Sequence, residues 1–231
     1  MAATESKQVK SLEGEIVERF AKLPRFDTDT IRQLRLEFSE RLAKTPPKFV
    51  VTLALKLTHG QIVPRFFAYE LVQHHPDALR TIRAKSLADF GRGNDNWCDV
   101  DTFACYLAGP AWRERQVSDA LIERWTRSRD RWWRRSALVC TVALNCKARG
   151  GRGDSTRTIN ICERLVADRD DMVVKALSWA LRELSKTDTE CVSRFLSKHE
   201  KDLAPRVLRE VSNKLQTGLK NPQQTKTRGT R

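Results

Sequence analysis

The 231-residue chain lacks the features that stabilise secreted and membrane proteins. Its six cysteines form no Cys-x-x-Cys pair and no Cys/His cluster at zinc-ligand spacing, so we expect reduced thiols and no structural metal. No apolar run approaches the roughly 20 residues that span a bilayer. The first residues contain no apolar signal-peptide core. These absences predict an intracellular, cytoplasmic protein without a metal or a membrane partner.

Acidic residues are also few relative to basic ones. The chain has 43 Lys and Arg against 29 Asp and Glu, a formal net charge of +14. The segment from Gly218 to the end holds four basic residues and no acid, so most of the excess lies in the remainder of the chain. A basic folded body gains affinity for phosphates by releasing counterions. Nucleic acid is therefore the predicted partner.

Strand patterns are absent, because from residue 5 to residue 217 almost every segment repeats its apolar residues with helical period. Caps and prolines mark the expected helix starts. The starts lie at the Asp27 cap, at Pro47 and at Pro64, a further helix is expected over residues 79–90, and another is expected to begin at Gly109-Pro110.

The rhythm of these helices predicts the architecture. Helices of three to four turns with short connections, paired every 35 to 45 residues or so, are typical of HEAT-like repeats. We predict an all-α fold, an α-solenoid of antiparallel helix pairs with a basic concave groove. A compact helical bundle is the alternative, since no repeated motif is visible. Residues 1–217 are expected to form one domain and residues 218–231 a basic, disordered tail.

The stretch Gly93–Phe103 combines an aromatic ring with a carboxylate. Small polar residues at 94–96 can cap a helix, and Trp97 and Asp101 then stand one turn apart on the same face. The carboxylate would lie at a rim beside an aromatic wall, open to a ligand. The alternative interpretation is that Trp97 is a core residue and Asp101 a solvated acid.

A second aromatic residue lies on a basic helix face. In the segment Asp170–Lys186, the apolar residues share one arc, and Trp179 lies off this arc beside Lys175 and Arg182. An exposed tryptophan flanked by cations can stack on a base or sugar while the cations hold phosphates. Alternatively, Trp179 packs against a third helix or a loop.

Two further segments are rich in arginine. Arg131–Arg135 can hold a DNA backbone, although the helical wheel does not decide whether Arg134 or Arg135 faces the ligand. The segment Lys147–Asp154, which contains Arg149 and Arg152, is predicted to be a loop too flexible for a helix and too basic for burial.

These segments resemble one protein family. The run Trp97-Cys98-Asp99-Val100-Asp101, the Trp-x-x-Arg-x-Ala pattern that ends at Ala137, and the helix and turn over 175–188 are similar to the AlkD-type DNA alkylation repair family. Its members are bacterial DNA glycosylases built of HEAT-like repeats. The resemblance extends from about residue 60 to residue 217, and this chain would be a divergent member.

The resemblance implies specific roles for several residues. Asp101 matches the catalytic aspartate, Trp97 and Trp179 match the two tryptophans that flank the lesion nucleotide, and Arg135 matches the arginine that contacts the backbone. Such enzymes release cationic alkylated purines, notably 3-methyladenine and 7-methylguanine, from duplex DNA without flipping the base into a pocket. The more basic loop over 147–157 suggests an added phosphate contact. We expect a monomer that associates with the nucleoid.

The chemistry needs few residues and no cofactor. An alkylated purine is already positively charged and leaves without a general acid, so one carboxylate can stabilise the oxocarbenium-like sugar and orient water. Two indole rings can support the developing charge. The alternatives are a non-catalytic HEAT-like DNA-binding protein and a protein-interaction scaffold whose basic charge is incidental.

Overall fold

The computed structural model describes residues 2–222, with side chains from residue 4. All regular elements in this range are helical, which confirms the prediction of an all-α fold. The α-helices are α1 (Ala2–Ala21), α2 (Thr28–Leu42), α3 (Pro47–His59), α4 (Arg65–His74), α5 (Ala84–Gly91), α6 (Trp97–Phe103), α7 (Gly109–Arg113), α8 (Asp119–Thr126), α9 (Arg131–Asn145), α10 (Ser155–Arg164), α11 (Asp171–Leu184), α12 (Thr189–Lys198) and α13 (Pro205–Thr217). Most of the predicted basic tail, residues 223–231, lies outside the described residues.

The chain divides into two compact units. The N-terminal unit extends to Leu121 and the C-terminal unit begins at Ile122, so the boundary falls inside α8. The single domain over 1–217, the solenoid and its concave groove stay predictions.

In the N-terminal unit, the helices pack around α4. Helix α4 contacts α2, α3 and α6, while α3 also contacts α1 and α5. The core contains an aromatic group in which Phe67 meets Phe20 and Phe38 edge-on, with ring centroids 4.9 and 6.3 Å apart. Every residue of α4 from Phe67 to Val72 is buried. Helix α4 is thus the central helix of this unit.

In the C-terminal unit, α11 lies between α9 and α13, and α10 and α12 pack against this layer. Ion pairs join the N-terminal ends of the three layer helices. Arg131 Nη1 of α9 lies 3.3 Å from Asp170 Oδ2 at the start of α11, and Arg206 of α13 lies 3.1 Å from Asp171 of α11. The three helices therefore run in the same direction.

Most predicted helix starts are confirmed. The Asp27 carboxylate accepts a hydrogen bond from Thr30 N at 2.9 Å and caps α2. Pro47 occupies the first position of α3, and Pro64 directly precedes α4. The Asp side chain has the acceptor that the free N–H groups of a first turn need, and proline has no N–H to leave unpaired.

The helix predicted over residues 79–90 is wrong in its first half. The chain forms a 3₁₀ turn at Leu79–Thr81, becomes extended at Ile82, and starts α5 only at Ala84. The Gln116 side-chain amide donates to the carbonyl oxygens of Leu79 and Ile82 at 2.8 and 3.1 Å. The carbonyl oxygens of Leu79 and Ile82 thus accept hydrogen bonds from a distant side chain, so this stretch does not need helical bonds to satisfy them.

The helix expected to begin at Gly109-Pro110 is present as α7, but it follows α6 and a π-turn directly, since the chain is helical without a break from Trp97 to Arg113. Residues Ala104–Ala108 form a π-helical turn, in which Gly109 N donates to Ala104 O. Pro110 has no N–H to donate to the carbonyl of Tyr106, so a regular α-helical ladder is impossible there. The π-turn accommodates the proline inside the helix.

Candidate functional site

The start of α6 presents Trp97 and Asp101. Of the three candidate caps, Asn96 is the one used, since its Oδ1 accepts from Asp99 N at 3.0 Å and its Nδ2 donates to Asp99 Oδ2 at 2.8 Å. Trp97 is 58% exposed and Asp101 is half-buried. Trp97 is therefore not a core residue. The ring and the carboxylate stand one turn apart on α6, as predicted.

A buried polar group that the sequence analysis missed fixes the loop before α6. The Tyr69 hydroxyl lies 2.9 Å from Asn94 Oδ1 and 3.1 Å from Phe90 O and shares its single proton between these acceptors, and Arg65 Nη1 donates to Asn94 Oδ1 at 2.9 Å. Asn94 is 6% exposed, and burial raises the pKa of Tyr69 to about 12. The pattern of small polar residues predicted a cap but not this anchor, since α4 supplies two of its three side chains.

Negative charge surrounds the exposed Cys98 thiol. Burial, followed by the charges of Asp99 and Asp101, raises the pKa of Cys98. The thiol therefore stays protonated at neutral pH.

The exposed face of α11 carries Trp179 among cations. The predicted apolar arc is buried, whereas Trp179 and Lys175 are half-buried. Lys175 Nζ pairs with Asp171 at 2.6 Å. Arg182 Nε donates to Ser178 Oγ at 3.2 Å, and burial lowers the pKa of Arg182. A partly desolvated guanidinium beside an indole ring is suited to bind an anion.

The sequence did not decide whether Arg134 or Arg135 faces the ligand, and in the structure neither side chain is exposed. Arg135 is 5% exposed, and its Nη1 donates to Met172 O at 2.5 Å. Arg134 Nε donates to Asp168 Oδ2 at 2.7 Å and its Nη1 donates to two carbonyls of the preceding turn. Both arginines thus hold α9 against neighbouring parts of the C-terminal unit. The exposed cation of this helix start is Arg131, which lies 5.1 Å above the Trp132 ring.

The arginine-rich loop after α9 is more ordered than predicted. It begins with a 3₁₀ turn at Lys147–Arg149, and the backbone N–H groups of Arg152 and Gly153 donate to Leu144 O at 3.0 and 3.1 Å. Gly151 is buried against the end of α9. Arg149 is half-buried and Arg152 is exposed. The predicted loop is therefore present, but it includes a 3₁₀ turn and a buried glycine that the prediction did not contain.

The structure brings the predicted site residues together in two groups. Trp97 and Asp101 share α6 in the N-terminal unit, and Lys175, Trp179 and Arg182 share one face of α11 in the C-terminal unit. Within residues 2–222, no group of three or more His, Cys, Asp or Glu side chains is placed to hold a metal ion. None of the described helices has the length and apolar character to cross a membrane.

The described part of the chain thus defines an all-helical protein with aromatic and basic side chains exposed on its helices. A family model described as DNA alkylation repair enzyme matches residues 27–215. The chain belongs to this family, which confirms the predicted resemblance and gives the protein a role in DNA alkylation repair with DNA as its partner. A search of curated proteins finds no match.

Proposed function

We propose that the protein is a DNA glycosylase that hydrolyses the N-glycosidic bond of cationic alkylated purines, such as 3-methyladenine and 7-methylguanine, in duplex DNA. The observation that carries this proposal is the pairing of a 58% exposed Trp97 with Asp101 on one capped helix. A carboxylate beside an exposed ring suits a reaction in which positive charge develops on a sugar.

Asp101 is the proposed catalytic residue. The alkylated base carries a positive charge and departs as a neutral molecule, taking the bonding electrons of the glycosidic bond with it. The Asp101 carboxylate stabilises the oxocarbenium-like sugar and orients the water that adds to C1′; it accepts the proton that this water loses and passes it to solvent. Burial raises the pKa of Cys98, and the charges of Asp99 and Asp101 add to this effect; these two carboxylates also favour the cationic intermediate.

Trp97 and Trp179 are the proposed contacts to the lesion nucleotide, and basic residues are the proposed contacts to phosphates. Lys175 and Arg182 flank Trp179 on α11. Arg135 is proposed to contact the DNA backbone from its position beside the start of α11, where its Nη1 donates to the main-chain oxygen of Met172. The loop after α9 presents two further candidate contacts, Arg149 and Arg152. Arg134 stays a predicted contact, although its guanidinium is bound to Asp168.

The test is the release of free methylated base from duplex DNA treated with a methylating agent. Native protein is compared at equal concentration with Asp101→Asn and with Asp29→Asn, a matched change to an exposed carboxylate in the first turn of α2. We expect Asp101→Asn to lose at least 100-fold in base release, an electrostatic effect of the usual size. Asp29→Asn should stay within two-fold of native protein.

Duplex affinity separates the proposed enzyme from a non-catalytic DNA-binding protein. Asp101→Asn should bind unmodified duplex at least as tightly as native protein, because the substitution removes a negative charge. If native protein binds duplex DNA but releases no methylated base, the glycosylase assignment is wrong and a helical DNA-binding protein is the better account.

A further inference from the structure

A second polar cluster lies in the N-terminal unit on helices α2 and α4. Glu70 is the only charged residue in the buried run Phe67–Val72 of α4. Its Oε1 lies 3.3 Å from Arg32 Nε and its Oε2 lies 3.1 Å from Arg35 Nε, both on α2. One carboxylate thus serves two guanidinium groups.

The burial of the three side chains differs sharply. The side chains of Glu70 and Arg35 are only 4% and 10% exposed, whereas that of Arg32 is 47% exposed. A buried carboxylate is costly unless it is paired and hydrogen-bonded. The buried Arg35 is the partner that neutralises the Glu70 carboxylate. The more exposed Arg32 is therefore a second cation, which the burial of Glu70 does not require.

The charges of the cluster do not balance. Two arginines face one carboxylate, which leaves an excess of one positive charge at a partly desolvated position. Burial, followed by the charge of Arg35, lowers the pKa of the neighbouring His74. Both ion pairs use the Nε atoms, and a guanidinium has two further nitrogens with which to bind an anion.

The cluster is tied to the helix of the proposed catalytic residue. Helix α4, which carries Glu70, packs against α6 and against the π-turn that continues it. Asp101 lies on α6, two residues before its end at Phe103. A DNA strand that places a sugar at Asp101 can therefore pass the cluster with a neighbouring part of its backbone.

We propose that Arg32, held by Glu70, is a binding site for a phosphodiester group of the DNA backbone. The guanidinium fork binds two phosphate oxygens, and the buried Glu70 fixes its orientation before the ligand arrives. The inference rests on the proposed function only for its ligand, duplex DNA. It adds a phosphate contact on α2 to those expected on α9, α11 and the loop between α9 and α10.

Salt-dependent binding of an unmodified fluorescent duplex tests the proposal. Arg32→Gln is compared with Lys48→Gln, which removes an equal charge from an exposed position on α3. The loss of one phosphate contact lowers the slope of log K against log salt by about 0.9 and weakens binding about eight-fold at 0.1 M salt. We expect this result for Arg32→Gln and less than a two-fold change for Lys48→Gln. Equal slopes and affinities for the two variants would overturn the proposal.

Two controls keep the outcome interpretable. If Arg32→Gln unfolds below the assay temperature, Arg32→Lys decides: it keeps the charge and should keep the native slope, but it should bind two- to three-fold more weakly because an ammonium lacks the fork geometry. Unchanged affinity in Arg32→Lys counts against the site. Release of methylated base by the same native preparation is measured separately. Its absence refutes the glycosylase and leaves the phosphate site standing, whereas intact release with unchanged duplex binding refutes only the site.

Discussion

Asn96 and Asp99 exchange two hydrogen bonds at the start of α6, one from the Asp99 backbone N–H to Asn96 Oδ1 and one from Asn96 Nδ2 to Asp99 Oδ2, at 3.0 and 2.8 Å. The Asn96 side chain thus accepts one hydrogen bond from Asp99 and donates another to it at the first turn of the helix. This exchange fixes the first turn, which carries Trp97, and supports Asp101 one turn later.

Replacement of Asn96 by alanine should destabilise the fold and slow base release. The loss of a capping side chain costs about 1 kcal/mol, which lowers the melting temperature by about 2 to 4 °C in a chain of this size. The fraying turn also displaces Trp97, so base release should fall more than stability alone explains. Circular dichroism melts and the release assay measure both effects. Asn96→Ser keeps a capping oxygen, and if it behaves like Asn96→Ala, the cap is not the cause.

Replacement of Gly151 by alanine should destabilise the ordered loop after α9. A Cβ at this position would lie 2.6 Å from Cys146 N and 2.7 Å from Asn145 C, both backbone atoms that cannot move independently. We expect a loss of about 1 to 3 kcal/mol in the free energy of unfolding, as for other overpacked sites.

Gly14 provides a matched control on α1, since a Cβ there would meet nothing within 4 Å. Gly14→Ala should stabilise the protein by roughly 0.5 to 1 kcal/mol, because alanine favours a helix over glycine. Urea unfolding of the two variants should thus give changes of opposite sign. A Gly151→Ala variant as stable as native protein would show that the loop is not closely packed against α9.

Alkaline pH should destabilise the protein through Tyr69. Burial raises the pKa of this tyrosine to about 12 in the folded state, above the ordinary value of about 10 in the unfolded chain. The folded state therefore retains the proton between these values while the unfolded state releases it. The stabilising contribution of Tyr69 is complete below pH 10 and is lost as the pH rises through 12, in total about 2 to 3 kcal/mol.

Ultraviolet absorbance of tyrosinate measures this titration directly. The chain has two tyrosines, so Tyr106→Phe leaves Tyr69 as the only one. Its absorbance step should lie well above pH 10 under folding conditions and should return to about 10 in urea. A single step near pH 10 without unfolding would contradict the buried arrangement of Tyr69, Phe90 and Asn94.

Local signals predicted much of the fold. Asp27, Pro47 and Pro64 act through the hydrogen bonds of a single turn, so their effect is visible in a few consecutive residues. The wheel of α11 also placed Trp179 correctly away from the buried arc, because period and composition agree along that helix.

Distant contacts decided what the sequence analysis missed. The extended backbone at Ile82 is satisfied by the amide of Gln116, which is 34 residues away. Glu70 and its two arginines come from different helices, and the only visible signal was a lone acid within an apolar run. A helical wheel cannot distinguish Arg134 from Arg135 because their burial is set by Asp168 and Met172 of a later segment.

The π-turn at Ala104–Ala108 makes the length of this segment as important as its composition. Each residue of an α-helix advances the direction of its side chain by about 100°. The π-turn takes up one extra residue, so the side chains after it point where they would point in a regular helix that is one residue shorter. Trp112 is fully buried in this register. The π-turn therefore changes which face of the helix each later residue occupies. Because of this change, one continuous helix presents Trp97 to solvent at its beginning and buries Trp112 at its end.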